Sequence, residues 1–353
     1  MIIKTKYTLF SFLKLFIIVS VSFMLMFFLI DILEGLNDLV KRGDAFDAVK
    51  SFYRLPSIFV EISPVLTFLS GMFLLGEMIK YGEIRILEIS GIKPLKLLAV
   101  FFLCGTVISA AAFYIKNFTA PACLKRINKP AEIKVVNFSS PGYLLYSEKF
   151  TPPGTFRKIQ VSVISESGGI MTVNAASAVY GGDNIWTFGS GRIWYFGSDG
   201  SMEKSENFSV KKLHIMLEPG LIMDASRNLD EFSYAELKDM MRKLEGLNIL
   251  PVSVKSSLHE RFAYPLLNLF LLFILFPFFY VRHKISRVFV LGLSILLSFI
   301  SYGVFSSGLT LAKAGKMPVF VGVWLMHILI TASLVLFFFR LSLLSKKTKS
   351  DII

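Results

Sequence analysis

The sequence predicts a polytopic α-helical membrane protein with six transmembrane helices and an all-β domain inserted between the third helix and the fourth. The first observation is a set of six apolar runs, at residues 9–33, 57–79, 97–115, 262–281, 288–311 and 319–341. A helix that rises about 1.5 Å per residue needs about 20 residues to cross a hydrocarbon core of about 30 Å, and each run has roughly that length or more. The second observation is the long polar segment between the third and fourth runs, which contains short β-type stretches.

The composition agrees with a membrane protein. Hydrophobic residues make up 54% of the chain and charged residues 18%, whereas average soluble domains contain about 25% charged residues. The formal net charge of +13 comes mostly from short loops beside the apolar runs, where basic residues set membrane topology. Because these residues do not form one basic face, we expect no nucleic-acid partner.

The basic loops also predict the orientation. The N-terminus, loop 80–96, loop 282–287 and the C-terminal tail are rich in Lys and Arg, and they alternate on one side of the membrane. The positive-inside rule places that side in the cytoplasm. Both termini are then cytoplasmic, and the insert lies on the opposite side. The first run is expected to be a retained helix, since no small-residue cleavage site follows it.

The insert has the pattern of antiparallel β structure. From about Phe138 to Leu217, short β-branched or aromatic stretches alternate with turns rich in Gly, Asp and Ser. Such spacing favours an antiparallel sandwich or an open roll over βαβ units. We expect Trp186, Trp194 and Tyr195 to pack in its interior.

A helix is predicted after the strands, at residues 229–249. Ser233 and Glu236 form a capping-box pattern, and five apolar residues then fall on one face: Leu237, Met240, Met241, Leu244 and Leu247. This face either packs on the β domain or lies along the membrane surface before the fourth span.

These features divide the chain into four parts. Residues 1–117 contain transmembrane helices one to three and a cytoplasmic loop helix at 81–91, and residues 118–228 form the β domain. Residues 229–258 form a linking amphipathic helix, and residues 259–353 contain helices four to six and a basic cytoplasmic tail.

Motifs of the common catalytic sites are absent from the sequence. It has no phosphate loop of the G-x-x-x-x-G-K-[ST] type, no H-E-x-x-H zinc pattern and no G-x-S-x-G elbow. Its four histidines lack ligand spacing, and its two cysteines form no C-x-x-C pair. We therefore expect no metal and no catalytic residues. A third hypothesis is a membrane-bound enzyme of lipid-head modification that uses Glu61 and His259. Glu61 lies early in the second span, where it fits a structural ion pair as well as a transport role.

The cytoplasmic loop at 81–91, YGEIRILEISG, is the segment that most clearly suggests a functional role. On a helix, Ile84 and Leu87, with Gly91, share one face, and Glu83 and Glu88 lie beside it. A short amphipathic helix parallel to the inner surface either docks a cytoplasmic partner or is a connector that rests on lipid.

Two segments resemble one known family. GEIRILEISGIKPLKLL resembles the loop between the second and third spans of the lipopolysaccharide-export permeases, the LptF/LptG or YjgP/YjgQ family. FSYAELKDMMRKLEGLN, followed by HERFAYPLLNLFLLFILFPFF, is similar to that family's linking helix and fourth span. The family pattern H-x-[RK]-x-x-x-P with a later Pro corresponds to His259, Arg261, Pro265 and Pro277. The layout of three spans, a β insert and three spans matches as well.

The resemblance implies one permease subunit of an ABC transporter in the inner membrane of a Gram-negative cell. Its expected partners are a paralogous permease, a dimer of a cytoplasmic ABC ATPase, periplasmic bridge proteins of jellyroll type, and lipopolysaccharide. The insert would be a β-jellyroll-like domain that passes lipid to the bridge. The chain itself needs no cofactor, because ATP is hydrolysed by the partner ATPase. Segment 81–91 would be the coupling helix, with ATPase-coupling residues Glu83, Arg85, Glu88 and Gly91.

A phosphorylated glycolipid needs an apolar cavity for its acyl chains and cations for its headgroup. Residues 23–28 supply apolar surface, and Lys41, Arg42 and Arg261 are the candidate headgroup contacts. A solvated loop explains Lys41 and Arg42 equally well, and snorkelling explains Arg261 at the mouth of the fourth span. The family often has a lysine in the outer half of span 1, where this chain has Phe and Asp31.

The alternative function is the membrane subunit of another mechanical ABC system, for lipoprotein release or control of cell-wall hydrolases, which usually has four spans.

Overall fold

The computed structural model describes residues 2–42, 48–91, 94–127, 133–139, 142–151, 154–165, 168–215, 218–220, 227–246, 252–280 and 286–350. The chain divides into two compact units. The membrane unit comprises Met1–Ile127 and Lys255–Ile353, and the insert unit comprises Asn128–Val254.

The membrane unit begins with two long helices and a short one. These are α1 (Ile2–Arg42), α2 (Ala48–Lys80) and α3 (Glu83–Ile89). Helix α4 (Pro94–Tyr114) continues through a π-helical turn (Ile115–Thr119) into α5 (Ala120–Ile127).

The described part of the insert unit contains six strands, followed by a 3₁₀ turn (Leu229–Glu231) and an α-helix. The strands are β1 (Ile133–Ser139), β2 (Tyr143–Thr151), β3 (Thr155–Ile164), β4 (Ile170–Tyr180), β5 (Ile185–Phe196) and β6 (Met202–His214). They form one antiparallel sheet in which each strand pairs with its neighbour in sequence. A single sheet of consecutive hairpins is the arrangement expected of an open roll. The predicted all-β insert is therefore confirmed.

One face of this sheet has an aromatic core. Phe150, Phe156, Trp186 and Phe188 are all at most 1% exposed, and the rings of Phe156 and Trp186 lie 5.3 Å apart. Trp194 and Tyr195 are half-buried. They lie on opposite faces, because successive side chains of a strand alternate.

The hairpin between β4 and β5 shows how local sequence fixes the strand register. Asp183 and Asn184 both have positive φ, at 50° and 60°, and the Ile185 N–H donates to the Gly182 carbonyl. Positive φ at both central residues defines the type I′ turn that matches the twist of paired strands.

Helix α6 (Tyr234–Gly246) follows the sheet and belongs to the insert unit. Its predicted capping box is formed: the Ser233 N–H donates to Glu236 Oε2 at 2.8 Å, and the Glu236 N–H donates to Ser233 Oγ at 3.3 Å. Three of its predicted face residues, Leu237, Met240 and Leu244, are buried, whereas Leu247 lies outside the described residues.

The second half of the membrane unit contains α7 (Val252–Phe273), a 3₁₀ turn (Phe276–Tyr280), α8 (Arg287–Lys313) and α9 (Val319–Ser350). Six helical segments in the described residues are long and apolar enough to cross a membrane. In chain order they are span 1 (Lys6–Lys41), span 2 (Val49–Lys80), span 3 (Leu98–Ile127), span 4 (Val252–Phe278), span 5 (Val288–Lys313) and span 6 (Val319–Arg340). The predicted fold class, six membrane helices with an all-β insert, is confirmed.

Span 2 lies at the centre of the membrane unit and span 1 at its edge. In the most apolar window of each, 67% of span 2 is buried inside the unit but only 6% of span 1. Small residues allow close packing of helices in membranes. A Cβ atom built on Gly71 of span 2 would lie 2.7 Å from Leu275, and one built on Gly308 of span 5 would lie 2.3 Å from the carbonyl oxygen of Gly322 in span 6.

Candidate functional site: helix α3, the charged hub and an apolar groove

Three features of the membrane unit are candidates for a functional role: helix α3, a network of charged residues and an apolar groove. Spans 3 and 4 join the insert unit at one end of the membrane unit, which we call the insert end. The opposite end, where α3 precedes span 3, is the α3 end.

Helix α3 is attached to the membrane unit by two apolar side chains. Ile84 and Leu87, three residues apart, are 7% and 6% exposed and belong to the same buried cluster as the spans. Gly82 and Gly91 flank the helix with φ of +70° and +76°, and L-residues with side chains adopt this conformation at a cost. Ile84 and Leu87 therefore share one face of α3, as their spacing predicts, and the structure shows that this face packs against the spans.

The opposite face of α3 is presented outward. Arg85 is exposed, and Ile86 and Ile89 are 53% and 87% exposed, while Glu83 is half-buried at the first turn. Gly91 is exposed after the end of the helix, and the Glu88 side chain lies outside the described residues. Two apolar side chains beside charges form a surface suited to a protein partner.

The insert end contains a buried network that we call the charged hub, formed by Lys116, Glu260 and Lys313. Glu260 Oε1 accepts a hydrogen bond from Lys116 Nζ at 2.8 Å, and Glu260 Oε2 accepts one from Lys313 Nζ at 3.0 Å. The Glu260 side chain is 11% exposed, Lys116 11% and Lys313 36%. Since these residues belong to spans 4, 3 and 5, one carboxylate joins three helices by charge pairing.

The π-helical turn of span 3 extends the hub. It contains Lys116 and the adjacent Asn117, both buried; such turns occur often at functional sites. The Lys116 ammonium lies 4.9 Å from the ring centre of Tyr264, and Arg261 donates a hydrogen bond to the Lys116 carbonyl. Asn117 Oδ1 is buried without a hydrogen-bond partner in the described part of the chain.

A polar ladder joins span 2 to span 4 beside the hub. The Asn268 amide accepts from Thr67 Oγ1 at 2.7 Å and donates to Ser63 Oγ at 3.2 Å. Pro64 has no N–H for the Val60 carbonyl, which instead accepts from Ser63 Oγ at 3.1 Å. Tyr264 donates to the Glu61 carbonyl. Residues around Glu61 therefore serve interhelix packing.

The predicted headgroup residues lie in different surroundings. Lys41 is exposed at the end of span 1, and the Arg42 side chain lies outside the described residues. Arg261 is only 2% exposed and faces the hub. The structure brings Arg261 together with Lys116, a residue that no sequence pattern singles out.

An apolar groove lies between spans 1 and 2, with a volume of about 530 Å³. Nine of its ten lining residues are apolar, among them Leu25 and Phe28 from span 1 and Phe52, Leu55 and Phe59 from span 2. The predicted apolar stretch 23–28 contributes to this lining. At the insert end of the groove, Arg54 of span 2 forms an ion pair with Asp31 of span 1.

Comparison with known proteins agrees with this architecture. The family model described as "Lipopolysaccharide export system permease LptF/LptG" matches residues 6–340, which include all six spans and the insert. No curated protein matches the sequence. Because the family model covers nearly the whole chain, this protein belongs to the LptF/LptG family of lipopolysaccharide export system permeases.

Proposed function

We propose that this chain is one permease subunit of an ABC transporter that extracts lipopolysaccharide from the outer leaflet of the inner membrane. A partner ATPase supplies the energy, and the insert passes the lipid to a periplasmic bridge. The observation that supports this proposal is the match to the permease family over residues 6–340. The same membership supports a transporter subunit rather than an enzyme.

The outward face of α3 is the proposed contact with the ATPase. The buried pair Ile84 and Leu87 connects α3 directly to the core of the spans. A force applied to the outward face is therefore transmitted to span 2 and its neighbours, because packed interiors deform little. In this proposal the α3 end is cytoplasmic and the insert end periplasmic.

The paralogous permease is the proposed partner within the membrane. Span 1 presents apolar side chains outward along its length, including Phe10 at 69%, Leu29 at 58% and Leu33 at 64%. This peripheral position leaves span 1 accessible both to a second permease and to lipid.

A periplasmic bridge protein of jellyroll type is the proposed partner of the insert. The insert sheet has edge strands β1 and β6, and edge strands pair readily with strands of another protein. Such pairing would suit the transfer of lipid from the insert to the bridge.

The alternative, another mechanical ABC system, is less well supported. Such membrane subunits usually have four spans, whereas the described residues contain six. The remaining alternative of a lipid-modifying enzyme lacks a specific observation in its favour. His259 accepts a hydrogen bond from Trp324 Nε1 at 3.4 Å, a contact that joins spans 4 and 6.

Co-purification with the ATPase tests the proposal. Glu83→Lys reverses a charge on the first turn of α3, and we expect it to abolish ATPase association. Glu245→Lys is the matched control, since Glu245 is exposed on α6 of the insert unit. We expect this control to associate like the wild type. A wild-type chain that never associates with an ABC ATPase would refute the proposed function.

A further inference from the structure

We propose that the face of the insert sheet opposite its aromatic core binds the saccharide portion of the transported glycolipid. The binding groups form a row of polar side chains across five strands, which we call the polar row: Tyr146, Gln160, Asn174, Arg192 and Asn207. This inference rests on the proposed function, which supplies the ligand, and adds to it a site for the hydrophilic part of lipopolysaccharide.

The strand register brings the polar row together. Tyr146 of β2 is opposite Gln160 of β3, which is opposite Asn174 of β4. Asn174 is opposite Arg192 of β5, which is opposite Asn207 of β6. Directly opposed side chains lie on the same face of a sheet, and all five are exposed. Strands lie about 4.8 Å apart, so the row is about 19 Å long, enough for a short oligosaccharide.

The polar row departs from the usual composition of strands. Asn is depleted in strands, yet Asn174 occupies an interior strand of the sheet. Its neighbour Val173 and the neighbour of Arg192, Ile193, are both 0% exposed. Since successive side chains alternate between faces, the row lies opposite the core. Such departures from local preference are expected mainly where function requires them.

Carboxamides, a phenol and a guanidinium suit a ligand rich in hydroxyl groups. Each carboxamide offers two N–H donors and an acceptor oxygen, and a phenol both donates and accepts. Sugar hydroxyls also donate and accept, so two neighbouring hydroxyls can bind both polar atoms of one carboxamide. A protein partner would instead require apolar anchor positions, and the row offers few of these.

One end of the row is already oriented. Arg192 Nε donates to Asn207 Oδ1 at 2.6 Å, a bond that uses one of the five guanidinium N–H donors. The Arg192 guanidinium carbon lies 6.0 Å from the ring centre of Trp194. Trp194 is two residues further along β5 and therefore on the same face. Its ring provides an apolar surface on which the C–H face of a sugar can stack, beside donors for the hydroxyls.

The charge of this face also fits the ligand. Acidic sugars and phosphates make the saccharide of lipopolysaccharide anionic, and the charged member of the row is Arg192. On β2, Glu148 pairs with Lys158 at 2.8 Å, and on β6, Glu206 pairs with Lys211 at 2.8 Å. These carboxylates beside the row are thus compensated by lysines, and Arg192 gives the row a net positive charge.

Equilibrium dialysis tests the site directly. The probe is the labelled saccharide released from lipopolysaccharide by mild acid, which has no acyl chains, and the protein is the full-length chain in lipid nanodiscs. We expect Arg192→Gln to weaken binding about tenfold or more, since hydrogen bonds to a charged group are lost. Lys238→Gln is the matched control, because it removes a charge from an exposed residue of α6, and it should bind like the wild type.

An isosteric substitution separates binding from folding. Asn174→Asp keeps the size of the side chain and places a carboxylate opposite Arg192, so the fold is retained while the anionic ligand is repelled. We expect a loss of affinity at least as large as that of Arg192→Gln, with an unchanged unfolding temperature. Wild-type affinity in both variants would overturn the inference.

Competition and partner binding identify the ligand of this face. Dextran at the same sugar concentration should compete weakly, and equal competition would show a general sugar surface and overturn the assignment. Association with the jellyroll bridge protein should be unchanged in both variants. Loss of the bridge protein with unchanged saccharide affinity would show a protein interface and would also overturn it.

ATPase association, measured on the same variants, distinguishes failure of this inference from failure of the proposed function. Its absence in the wild type rejects the proposed function. Retained ATPase, with saccharide affinity insensitive to Arg192→Gln and Asn174→Asp, rejects this inference alone.

Discussion

The insert end and the α3 end of the membrane unit hold their helices by different interactions. At the insert end, Glu260 joins three spans through two lysine ammonium groups within 3.0 Å. At the α3 end, a helix of seven residues is attached by the apolar side chains Ile84 and Leu87. One end is fixed by directed charge pairs in a buried setting, and the other by contacts that have no preferred direction.

This difference suits the two ends to different tasks. Removing one partner of a buried charge pair leaves the other uncompensated, so the hub tolerates few alternative arrangements. Apolar contacts permit small rotations of α3 without leaving unpaired polar groups. In the proposed function, the adaptable end receives the ATPase and the restrained end maintains the geometry at which lipid leaves the membrane unit.

The largest expected effect is at the hub. Glu260→Ala leaves Lys116 and Lys313 without their carboxylate, and we expect it to lower the free energy of unfolding by about 3–5 kcal/mol. Thermal unfolding of the purified protein measures this loss. The triple variant Glu260→Leu, Lys116→Met, Lys313→Met removes every charge of the hub together, and it should recover most of the lost stability. A mild effect of Glu260→Ala alone would show that the two ends do not differ as described.

An intermediate effect is expected where spans 5 and 6 cross near the hub. A Cβ at Gly308 would lie 2.3 Å from the Gly322 carbonyl oxygen, so Gly308→Ala must move backbone and should destabilise by about 1–3 kcal/mol. Gly303→Ala on the same helix is the matched control, because a Cβ added at Gly303 would meet no atom of a neighbouring helix within 4 Å in the described part of the chain. Equal unfolding temperatures for the two variants would contradict tight packing at this crossing.

The smallest expected effect on stability is at the α3 end. Gly91→Ala forces a residue with a side chain into positive φ, at a cost of about 1 kcal/mol, and Gly91→Asn should be better tolerated because Asn adopts this conformation more readily. Hydrogen exchange at α3 and coupled ATP hydrolysis by the complex measure the effect. We expect local loosening of α3 with little change in global unfolding. A global loss as large as that of Glu260→Ala would remove the distinction between the ends.

Much of the fold follows from patterns local in sequence. The six apolar runs predict the six spans, since length and hydropathy decide which helices can cross a membrane. The spacing of Ile84 and Leu87 predicts that they share one face of α3, and Ser233 with Glu236 predicts the start of α6. Each of these depends on residues close together in the chain.

The charged hub and the Asp31–Arg54 pair cannot be predicted in this way. Lys116 and Glu260 are 144 residues apart, and Lys313 is 53 residues beyond Glu260. In the sequence the two lysines lie beside the ends of apolar runs, where snorkelling explains them, and Glu260 stands between His259 and Arg261. The same reasoning leaves Arg261 at the mouth of span 4, yet its side chain is buried beside Lys116.

By itself the sequence determined the class of the protein, its six spans, its β insert and its family. Periodicity, length and turn chemistry are sufficient for these because they act over a few residues to about twenty. Only the tertiary structure decided which charges meet, that span 2 is central and span 1 peripheral, and that a groove between them ends in an ion pair. Those features depend on how helices distant in the chain pack together, and helix packing is set by shape and charge complementarity that no single segment contains.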